Sequence, residues 1–123
     1  MSTWDTEIAQ ALTAPDEVRL ATVRRDGSRR TPRIIWDVAV GDRVFIRSTN
    51  GRGADWFRWA IAIGRGRLET GHAAHEVVFV EAKESDLASV DTAYRQKYGR
   101  YASIVGHLLT PGPRAATLEV LPA

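Results

Sequence analysis

The sequence predicts an α+β domain in which six short antiparallel strands close into a small barrel beside two to three helices. Helix patterns interrupt the strand patterns at irregular intervals, which excludes the regular alternation of βαβ units. The length of 123 residues suits one domain spanning residues 1–123. Closure into a barrel is favoured because it removes exposed strand edges.

A short N-terminal helix is predicted to cover one side of the core. Ser2 and Asp5 have the spacing of a capping box, and Pro15 ends the apolar pattern. The apolar residues that share one face of this helix are Trp4, Ile8, Ala11 and Leu12.

The next part of the chain predicts a meander of three antiparallel strands. Asp26-Gly27 and Gly41-Asp42 are turn signals between them. Pro32 predicts an edge position or a bulge for the second strand, because proline cannot donate a ladder hydrogen bond. In the third strand, Val44 and Ile46 are expected to face inward. The three strands comprise residues 18–24, 28–40 and 43–48.

Two amphipathic helices and three more strands are predicted in the second half. The first helix carries an apolar stripe of Trp56, Trp59, Ala60 and Ile63, and the second carries Leu87, Val90, Tyr94 and Tyr98. Residues 101–109 are compatible with a further helix, and Pro111-Gly112-Pro113 is predicted to break the chain. The remaining strands comprise residues 66–71, 76–82 and 116–121.

Charge is distributed unevenly along the chain, although the net charge is only +2. Residues 19–67 contain 12 arginines and four acidic residues, which gives +8, and the remainder carries −6. A basic middle region indicates an anionic partner, either a phosphate group or nucleic acid. The absence of cysteine excludes disulfides and thiolate chemistry.

The stretch from Arg29 to Trp56 has the chemistry of a phosphate site, because it combines guanidinium groups, hydroxyls and a glycine loop. We expect its arginines to converge on one anion. Arg47 and Ser48 end the third strand beside that loop. The alternative interpretation is a solvated, arginine-rich face of the sheet.

Aromatic residues have two interpretations as well. Trp36, Trp56, Phe57 and Trp59 could stack on a planar ring, or pack in the core or an interface. Tyr94 and Tyr98 are four residues apart and are most simply packing residues, with a hydroxyl facing a ligand as the alternative. Arg95 and Lys97 suit the negative end of the helix dipole.

Other chemistries find no support in the sequence. His72 and His75 form an H-x-x-H pair without an obvious third ligand, so no metal site is predicted, and His107 is interpreted as a surface or interface residue. Ser-His-Asp order, nucleophile elbows, Walker loops and G-x-G-x-x-G are all missing. No apolar run approaches the roughly 20 residues of a membrane span, and the N-terminus lacks a signal-peptide pattern. A cytoplasmic location is the default expectation.

The order of these motifs resembles a known group of proteins. The run L-A-T-V-R-R-D-G-S-R-R-T-P at 20–32 precedes a hydrophobic strand, G-D-R-V-F-I-R-S at 41–48, a glycine loop and a tryptophan at the next helix. This pattern resembles the split-barrel flavin-binding fold of pyridoxamine 5'-phosphate oxidase-like proteins and deazaflavin-dependent nitroreductases. The positions similar to a nitroreductase segment are Thr22, Arg25, Gly27, Arg30, Pro32 and Ser48. With A-Y-R-x-K-Y-G at 93–99 and A-T-L-x-V-x-P at 116–122, the whole chain is more similar still to an uncharacterised domain-of-unknown-function family placed near those proteins.

The resemblance implies a six-stranded split β-barrel that forms a homodimer and binds FMN or a deazaflavin in a groove between subunits. By the same likeness, arginine and serine side chains would hold the phosphate, and Trp36 and Trp56 would lie near the ring system. The cofactor-binding residues expected on these grounds are Arg30, Thr31, Pro32, Arg47, Ser48, Arg52, Trp36 and Trp56. No catalytic side chain is assigned.

The leading hypothesis from the sequence is therefore a small flavin- or deazaflavin-dependent oxidoreductase, in which the cofactor supplies the redox chemistry. Its substrate is not indicated. The alternatives are a non-catalytic binder or sensor of a phosphorylated small molecule and a nucleic-acid binder. Nucleic acid is the weaker alternative, because few aromatic residues alternate with the arginines.

Overall fold

The computed structural model describes residues 3–71 and 73–123. In these residues, seven strands and five helices follow one another without regular alternation, which is typical of an α+β fold. The strands are β1 Val18–Thr22, β2 Arg33–Ile35, β3 Asp37–Val40, β4 Arg43–Arg47, β5 Arg65–Glu69, β6 Ala74–Glu81 and β7 Thr117–Pro122. The helices are α1 Thr6–Thr13, α2 Asp55–Ile63, α3 Leu87–Tyr98, α4 Ala102–Leu108 and α5 Pro111–Arg114. Single 3₁₀ turns lie at Gly51–Gly53 and Glu84–Asp86.

All seven strands form one antiparallel sheet in the order β2-β1-β5-β6-β7-β4-β3. Its two edge strands, β2 and β3, are consecutive in the chain and are separated only by Trp36. The segment 33–40 therefore runs from one edge of the sheet to the other and brings the sheet close to a barrel. The predicted α+β barrel is confirmed.

The predicted count of six strands is wrong because the second strand is divided. Its first half pairs with β1, placing Ile35 opposite Val18, and its second half pairs with β4, placing Asp37 opposite Ile46. One bent strand thus serves two distant partners, which local sequence patterns do not reveal. The edge position predicted from Pro32 is confirmed for β2, whereas a simple meander is wrong.

Two hydrophobic clusters lie on opposite sides of β4. Val44 and Ile46 join the cluster that also contains residues of α1 and α2, as the alternation of the strand predicts. Phe45 instead packs with Tyr94 and Tyr98 in the cluster beneath α3 and α4. Side chains on one strand therefore connect the barrel interior to the helical layer.

Most helices follow their predictions, with local differences. The packing interpretation of Tyr94 and Tyr98 is confirmed, since both are fully buried. In α2 the buried residues are Phe57 and Ala60, so the predicted burial of Ala60 is confirmed, whereas Phe57 is buried instead of Trp56, which is only partly buried. Residues 101–109 contain α4, and Pro111 begins α5 instead of breaking the chain.

The N-terminal helix is present as α1, but it begins without a side-chain cap from Asp5. Ser2, the other half of the predicted capping box, lies outside the described residues. Ala9 rather than Ala11 is buried beside Leu12. Within residues 3–71 and 73–123, no helix is long and apolar enough to cross a membrane.

Candidate functional site

Two cavities lie along the same pair of segments, namely residues 30–36 and helix α2. The first, which we name the basic cleft, has a volume of about 540 Å³. The second, which we name the apolar cavity, has a volume of about 210 Å³. The basic cleft is lined by Arg24, Arg30, Thr31, Pro32, Arg33 and Trp59. The apolar cavity is lined by Ile34, Ile35, Trp36, Arg47, Thr49, Asn50, Trp56, Ile104 and Leu108.

The two cavities are neighbours because both segments pass from one to the other. Pro32 and Arg33 line the basic cleft, and the next residues of the strand line the apolar cavity. On α2, Trp59 lines the cleft and Trp56 the cavity, three residues apart and therefore about 4.5 Å along the helix.

Stacked guanidinium groups dominate the basic cleft. The Cζ atom of Arg30 lies 4.2 Å from the ring centroid of Trp59, and that of Arg33 lies 5.4 Å from it. Such cation–π contacts hold a guanidinium in place without neutralising its charge. The Nη1 atom of Arg30 is buried and has no hydrogen-bond partner within the described chain. It is thus an unsatisfied donor on a residue that lines the cleft.

The hairpin that carries these arginines is ordered by its own polar contacts. Asp26 accepts hydrogen bonds from the Ser28 backbone N–H at 2.9 Å and the Ser28 hydroxyl at 2.6 Å, and these bonds lower the pKa of Asp26. Arg24 donates to the carbonyl of Arg29 at 3.2 Å, which closes the base of the turn. The backbone N–H of Arg30 donates to the Thr22 carbonyl.

No carboxylate in residues 3–71 or 73–123 forms a salt bridge with Arg24, Arg30 or Arg33. Since unpaired guanidinium groups crowded into one cleft repel each other, an anion placed among them would be stabilised. The cleft therefore has the electrostatics of a phosphate site.

Helix α3 fixes the tryptophan at the joint between β2 and β3. The Trp36 ring stacks on Tyr98 with a centroid separation of 4.0 Å and an interplanar angle of 3°. The hydroxyl of Tyr94 donates to the Trp36 carbonyl at 3.0 Å, and the Tyr98 hydroxyl donates to the Asp16 carbonyl at 2.7 Å. Because both hydroxyls bond backbone oxygens, neither tyrosine directs its hydroxyl to a ligand.

A buried ion pair joins Asp37, the residue after Trp36, to Lys97 of α3. Lys97 Nζ donates to Asp37 Oδ1 at 3.0 Å and to the Asp37 carbonyl at 2.7 Å. Burial raises the pKa of Asp37 to about 6, although the charge of Lys97 opposes the rise. Burial likewise lowers the pKa of Lys97. Lys97 therefore forms an ion pair with Asp37 and does not only interact with the negative end of the helix dipole.

Arg47 is the charged residue of the apolar cavity. Its side chain is fully buried; Nη1 donates to Asp91 Oδ1 at 2.7 Å and to the Leu108 carbonyl at 3.1 Å, and Nε donates to Thr117 Oγ1 at 2.8 Å. The remaining nitrogen, Nη2, is buried and has no hydrogen-bond partner among the described residues. Asp91 also accepts a hydrogen bond from Arg114 Nε at 3.0 Å.

The predicted site residues are divided among several places. Arg30, Thr31 and Pro32 line the basic cleft, and Trp36, Arg47 and Trp56 line the apolar cavity. Ser48 is buried, with a hydroxyl that has no partner in the described part of the chain. Arg52 binds Glu81 at 2.5 Å and the Ala115 carbonyl at 2.9 Å. Their role in cofactor binding stays a prediction.

The expected convergence on one anion is wrong for Arg47 and Arg52 within a single chain, whereas Arg30 and Arg33 line one cleft. Arg47 shares the face of β4 that packs beneath α3 and α4, so its guanidinium reaches Asp91. Arg52 follows that strand, in a turn that faces Glu81 of β6. In the glycine loop, Gly51 already has partners within the chain. Its N–H donates to the Ser48 carbonyl, and its backbone packs against that of Gly112.

The cofactor-binding residues expected from the sequence leave out three residues that line the basic cleft, namely Arg24, Arg33 and Trp59. The Asp26-Gly27 turn could have predicted the position of Arg24, because the hairpin places this residue beside Arg29 and Arg30. The contribution of Trp59 depends on how α2 lies against the hairpin, which a single helix pattern does not report.

The two histidines that the structure describes, His75 and His107, contact other groups of the chain. Among the described residues, no group of three or more His, Cys, Asp or Glu side chains could hold a metal ion. His75 makes an edge contact with Trp4, and His107 Nε2 lies 2.7 Å from the Thr49 carbonyl oxygen. The other residue of the H-x-x-H pair, His72, lies outside the described residues.

Comparison with solved structures identifies the fold. A conserved hypothetical protein from Mycobacterium tuberculosis is similar with a TM-score of 0.64 and 15% identity, covering 97% of this chain and 79% of that one. An F420-H2 dependent reductase has a TM-score of 0.65 and 14% identity, covering 85% and 93%. HutZ, a heme storage protein from Vibrio cholerae, has a TM-score of 0.69 and 15% identity, covering 98% and 91%. At these identities the similarity establishes the split-barrel fold alone.

Sequence comparison identifies the family. No curated protein shows significant similarity to the chain. A family model described as "Uncharacterized protein conserved in bacteria" matches residues 8–120, which is nearly the whole chain. The chain therefore belongs to the DUF2255 family, and its fold belongs with the split barrels.

Proposed function

We propose that the protein binds a phosphorylated planar cofactor of the flavin or deazaflavin class and uses it in a redox reaction. The cofactor's phosphate binds in the basic cleft, and its ring system extends toward Trp36 and Trp56 at the apolar cavity. One solved structure with the same fold is named an F420-H2 dependent reductase, which agrees with a deazaflavin as the cofactor.

A single observation carries this proposal: the buried, unpartnered Nη1 of Arg30 in a cleft whose arginines have no carboxylate partner in the described chain. A phosphate oxygen accepts from such a donor with a charge-assisted hydrogen bond. Arg24, Arg33 and the Thr31 hydroxyl line the same cleft and are available to other phosphate oxygens. The cleft volume falls within the roughly 300–1,000 Å³ of small-molecule sites.

The cofactor would supply the hydride or electron chemistry when bound. The chain's own residues then bind and orient it. Arg30 is oriented by Trp59, and Trp36 is held by its stacking on Tyr98. No side-chain nucleophile is needed for this division of labour.

In this proposal, a second copy of the chain covers the apolar cavity. Ile34 is 61% exposed on the edge strand β2, and Ile104 is 44% exposed on α4, both lining the apolar cavity. Exposed apolar residues around a cavity favour association between copies. Light scattering should give the mass of a dimer, and Ile34→Asp should shift the mass toward that of a monomer. A wild-type monomer at high protein concentration would remove this part of the proposal.

Cofactor binding is tested with purified protein incubated separately with FMN, a deazaflavin and hemin, followed by removal of free ligand. We expect the absorbance of FMN or the deazaflavin to stay with the protein. Retention of hemin alone would mean that the protein binds heme instead of a flavin or deazaflavin. One solved structure of the same fold is named a heme storage protein. Retention of no ligand would overturn the proposal.

The alternatives are separated by two further measurements. A cofactor that binds but is not reduced by NADH or NADPH, and whose reduced form is not reoxidised by an added electron acceptor, would identify a binder or sensor. A gel shift with nucleic acid that weakens steeply with salt would favour the nucleic-acid alternative. We expect turnover in the first assay and no shift in the second.

A further inference from the structure

The apolar cavity contains a charged group that the proposed cofactor site does not use. We infer that this cavity binds a small planar carboxylate, with the carboxylate on Arg47 Nη2 and the apolar part against Ile104 and Leu108, beside the cofactor ring at Trp36 and Trp56. Naming this ligand as the substrate rests on the proposed function. Binding of the carboxylate itself does not.

The hydrogen bonds of Arg47 leave one nitrogen for a ligand. Nε and Nη1 are engaged by Thr117, Asp91 and the Leu108 carbonyl, so the guanidinium cannot rotate to satisfy Nη2 elsewhere without breaking them. A buried donor without an acceptor is costly, and a ligand oxygen that reaches Nη2 would remove that cost. The side chain is therefore pre-organised for an acceptor.

The charge balance around Arg47 favours an anion over a neutral acceptor. Asp91 is shared between Arg47 and Arg114, with bonds of 2.7 and 3.0 Å, so two guanidinium groups face one carboxylate. One formal positive charge remains uncompensated in this cluster. In a cavity with isoleucine, leucine and tryptophan walls, that charge acts at a lower dielectric than in water.

The size of the cavity limits the ligand to one ring. Its volume of about 210 Å³ is below the roughly 300 Å³ at which sites for drug-sized ligands begin. The cavity adjoins the basic cleft along β2 and α2, so a carboxylate bound at Arg47 would lie beside a cofactor whose phosphate is bound at Arg30. A small aromatic or unsaturated carboxylic acid fits this position.

The test is a calorimetric titration of the full-length protein, without added cofactor, with benzoate and with its neutral analogue benzamide. We expect benzoate to bind roughly tenfold to hundredfold tighter, the range for a hydrogen bond to a charged group. Arg47→Gln should remove the difference between the two ligands, and Arg30→Ala, in the basic cleft, should retain it. Equal binding of both ligands, or loss of benzoate binding in Arg30→Ala instead, would overturn the inference.

A second pair of variants covers the case in which Arg47→Gln fails to fold. Ile104→Trp places a larger side chain at the cavity wall, and Ile61→Trp places the same side chain on an exposed position of α2 that lines neither cavity. Benzoate binding should weaken at least tenfold in the first variant and stay unchanged in the second. Unchanged binding in both would contradict the inference. If benzoate binds and no cofactor does, the proposed function fails and this inference stands.

Discussion

The arginines of the basic cleft and those of strand β4 differ in what surrounds them. Arg24, Arg30 and Arg33 have no salt bridge within the described residues, and Arg30 is held by an aromatic ring instead. Arg43 and Arg47, by contrast, each bind carboxylates at 2.7–2.9 Å. Similar side chains thus serve two purposes in one small domain. Paired arginines stabilise the fold, with one nitrogen of Arg47 left without a partner in the described chain, whereas no carboxylate there neutralises the arginines of the basic cleft.

The paired set also explains how the helical layer is attached. Arg43 binds Asp86 through both of its terminal nitrogens, and Glu119 through Nε and Nη2. Hydrogen bonds with Glu119 and Asp86 raise the pKa of Arg43, and those with Arg43 lower the pKa of Asp86. Since Asp86 directly precedes α3, this network connects the barrel to that helix.

The largest expected effect comes from breaking the buried pair. Arg47→Met removes the buried partner of Asp91 and leaves this carboxylate only the partly exposed Arg114, so it should lower the free energy of unfolding by about 3 kcal/mol, the lower end of the range for a broken buried pair. Urea unfolding followed by circular dichroism measures the change. Arg43→Met is the matched control: its side chain is 41% exposed, so the loss should be nearer about 1 kcal/mol. Equal losses in the two variants would contradict the comparison.

The next effect depends on pH and on the buried carboxylate of Asp37. Its pKa is about 6 in the folded chain against the ordinary aspartate value of 3.8, so between these two pH values the folded state binds a proton that the unfolded state has lost. Proton binding by Asp37 raises the free energy of unfolding by up to roughly 3 kcal/mol. This gain is complete below about pH 4 and is lost as the pH rises through 6. Asp37→Asn should lack this loss.

Unfolding free energies of the wild type and Asp37→Asn, measured at several values from pH 4 to pH 7, test this expectation. The stability of the wild type relative to the variant should fall across that interval. A relative stability that stays constant or rises would show that Lys97 keeps the carboxylate ionised at low pH.

A smaller effect, confined to ligand binding, is expected in the basic cleft. Arg30→Ala should weaken binding of the phosphorylated cofactor roughly tenfold to hundredfold, the range for a hydrogen bond to a charged group. Its unfolding free energy should change little, because Arg30 forms no salt bridge in the described chain. Isothermal titration and urea unfolding of the same preparation separate the two effects. A large loss of stability without a loss of affinity would place Arg30 among the structural arginines.

The smallest effect is expected for Arg52, which was predicted from the sequence to bind the phosphate. It pairs with Glu81 on the surface, where both side chains are about half exposed. Arg52→Ala should cost less than about 1 kcal/mol of stability and leave cofactor affinity unchanged, as surface pairs usually do. Titration of this variant beside Arg30→Ala makes the comparison direct. A loss of affinity comparable to that in Arg30→Ala would restore Arg52 to the site.

Local patterns predicted the elements of the fold well, since the alternation of Val44, Phe45 and Ile46 and the helical spacing of Tyr94 and Tyr98 each report burial on one element. They missed the bend at Trp36, because its two sides pair with strands far apart in the sequence. The site was predicted less completely. The middle region was rightly seen as basic, but whether an arginine meets Asp91, Glu81 or a tryptophan depends on tertiary packing.

The most direct test of the account compares FMN with riboflavin, which lacks the phosphate, by titration against the wild type and Arg30→Ala. If unpaired guanidinium groups in the basic cleft hold the phosphate, FMN should bind the wild type at least tenfold tighter than riboflavin, and the difference should largely disappear in Arg30→Ala. Equal binding of FMN and riboflavin by the wild type would contradict the account.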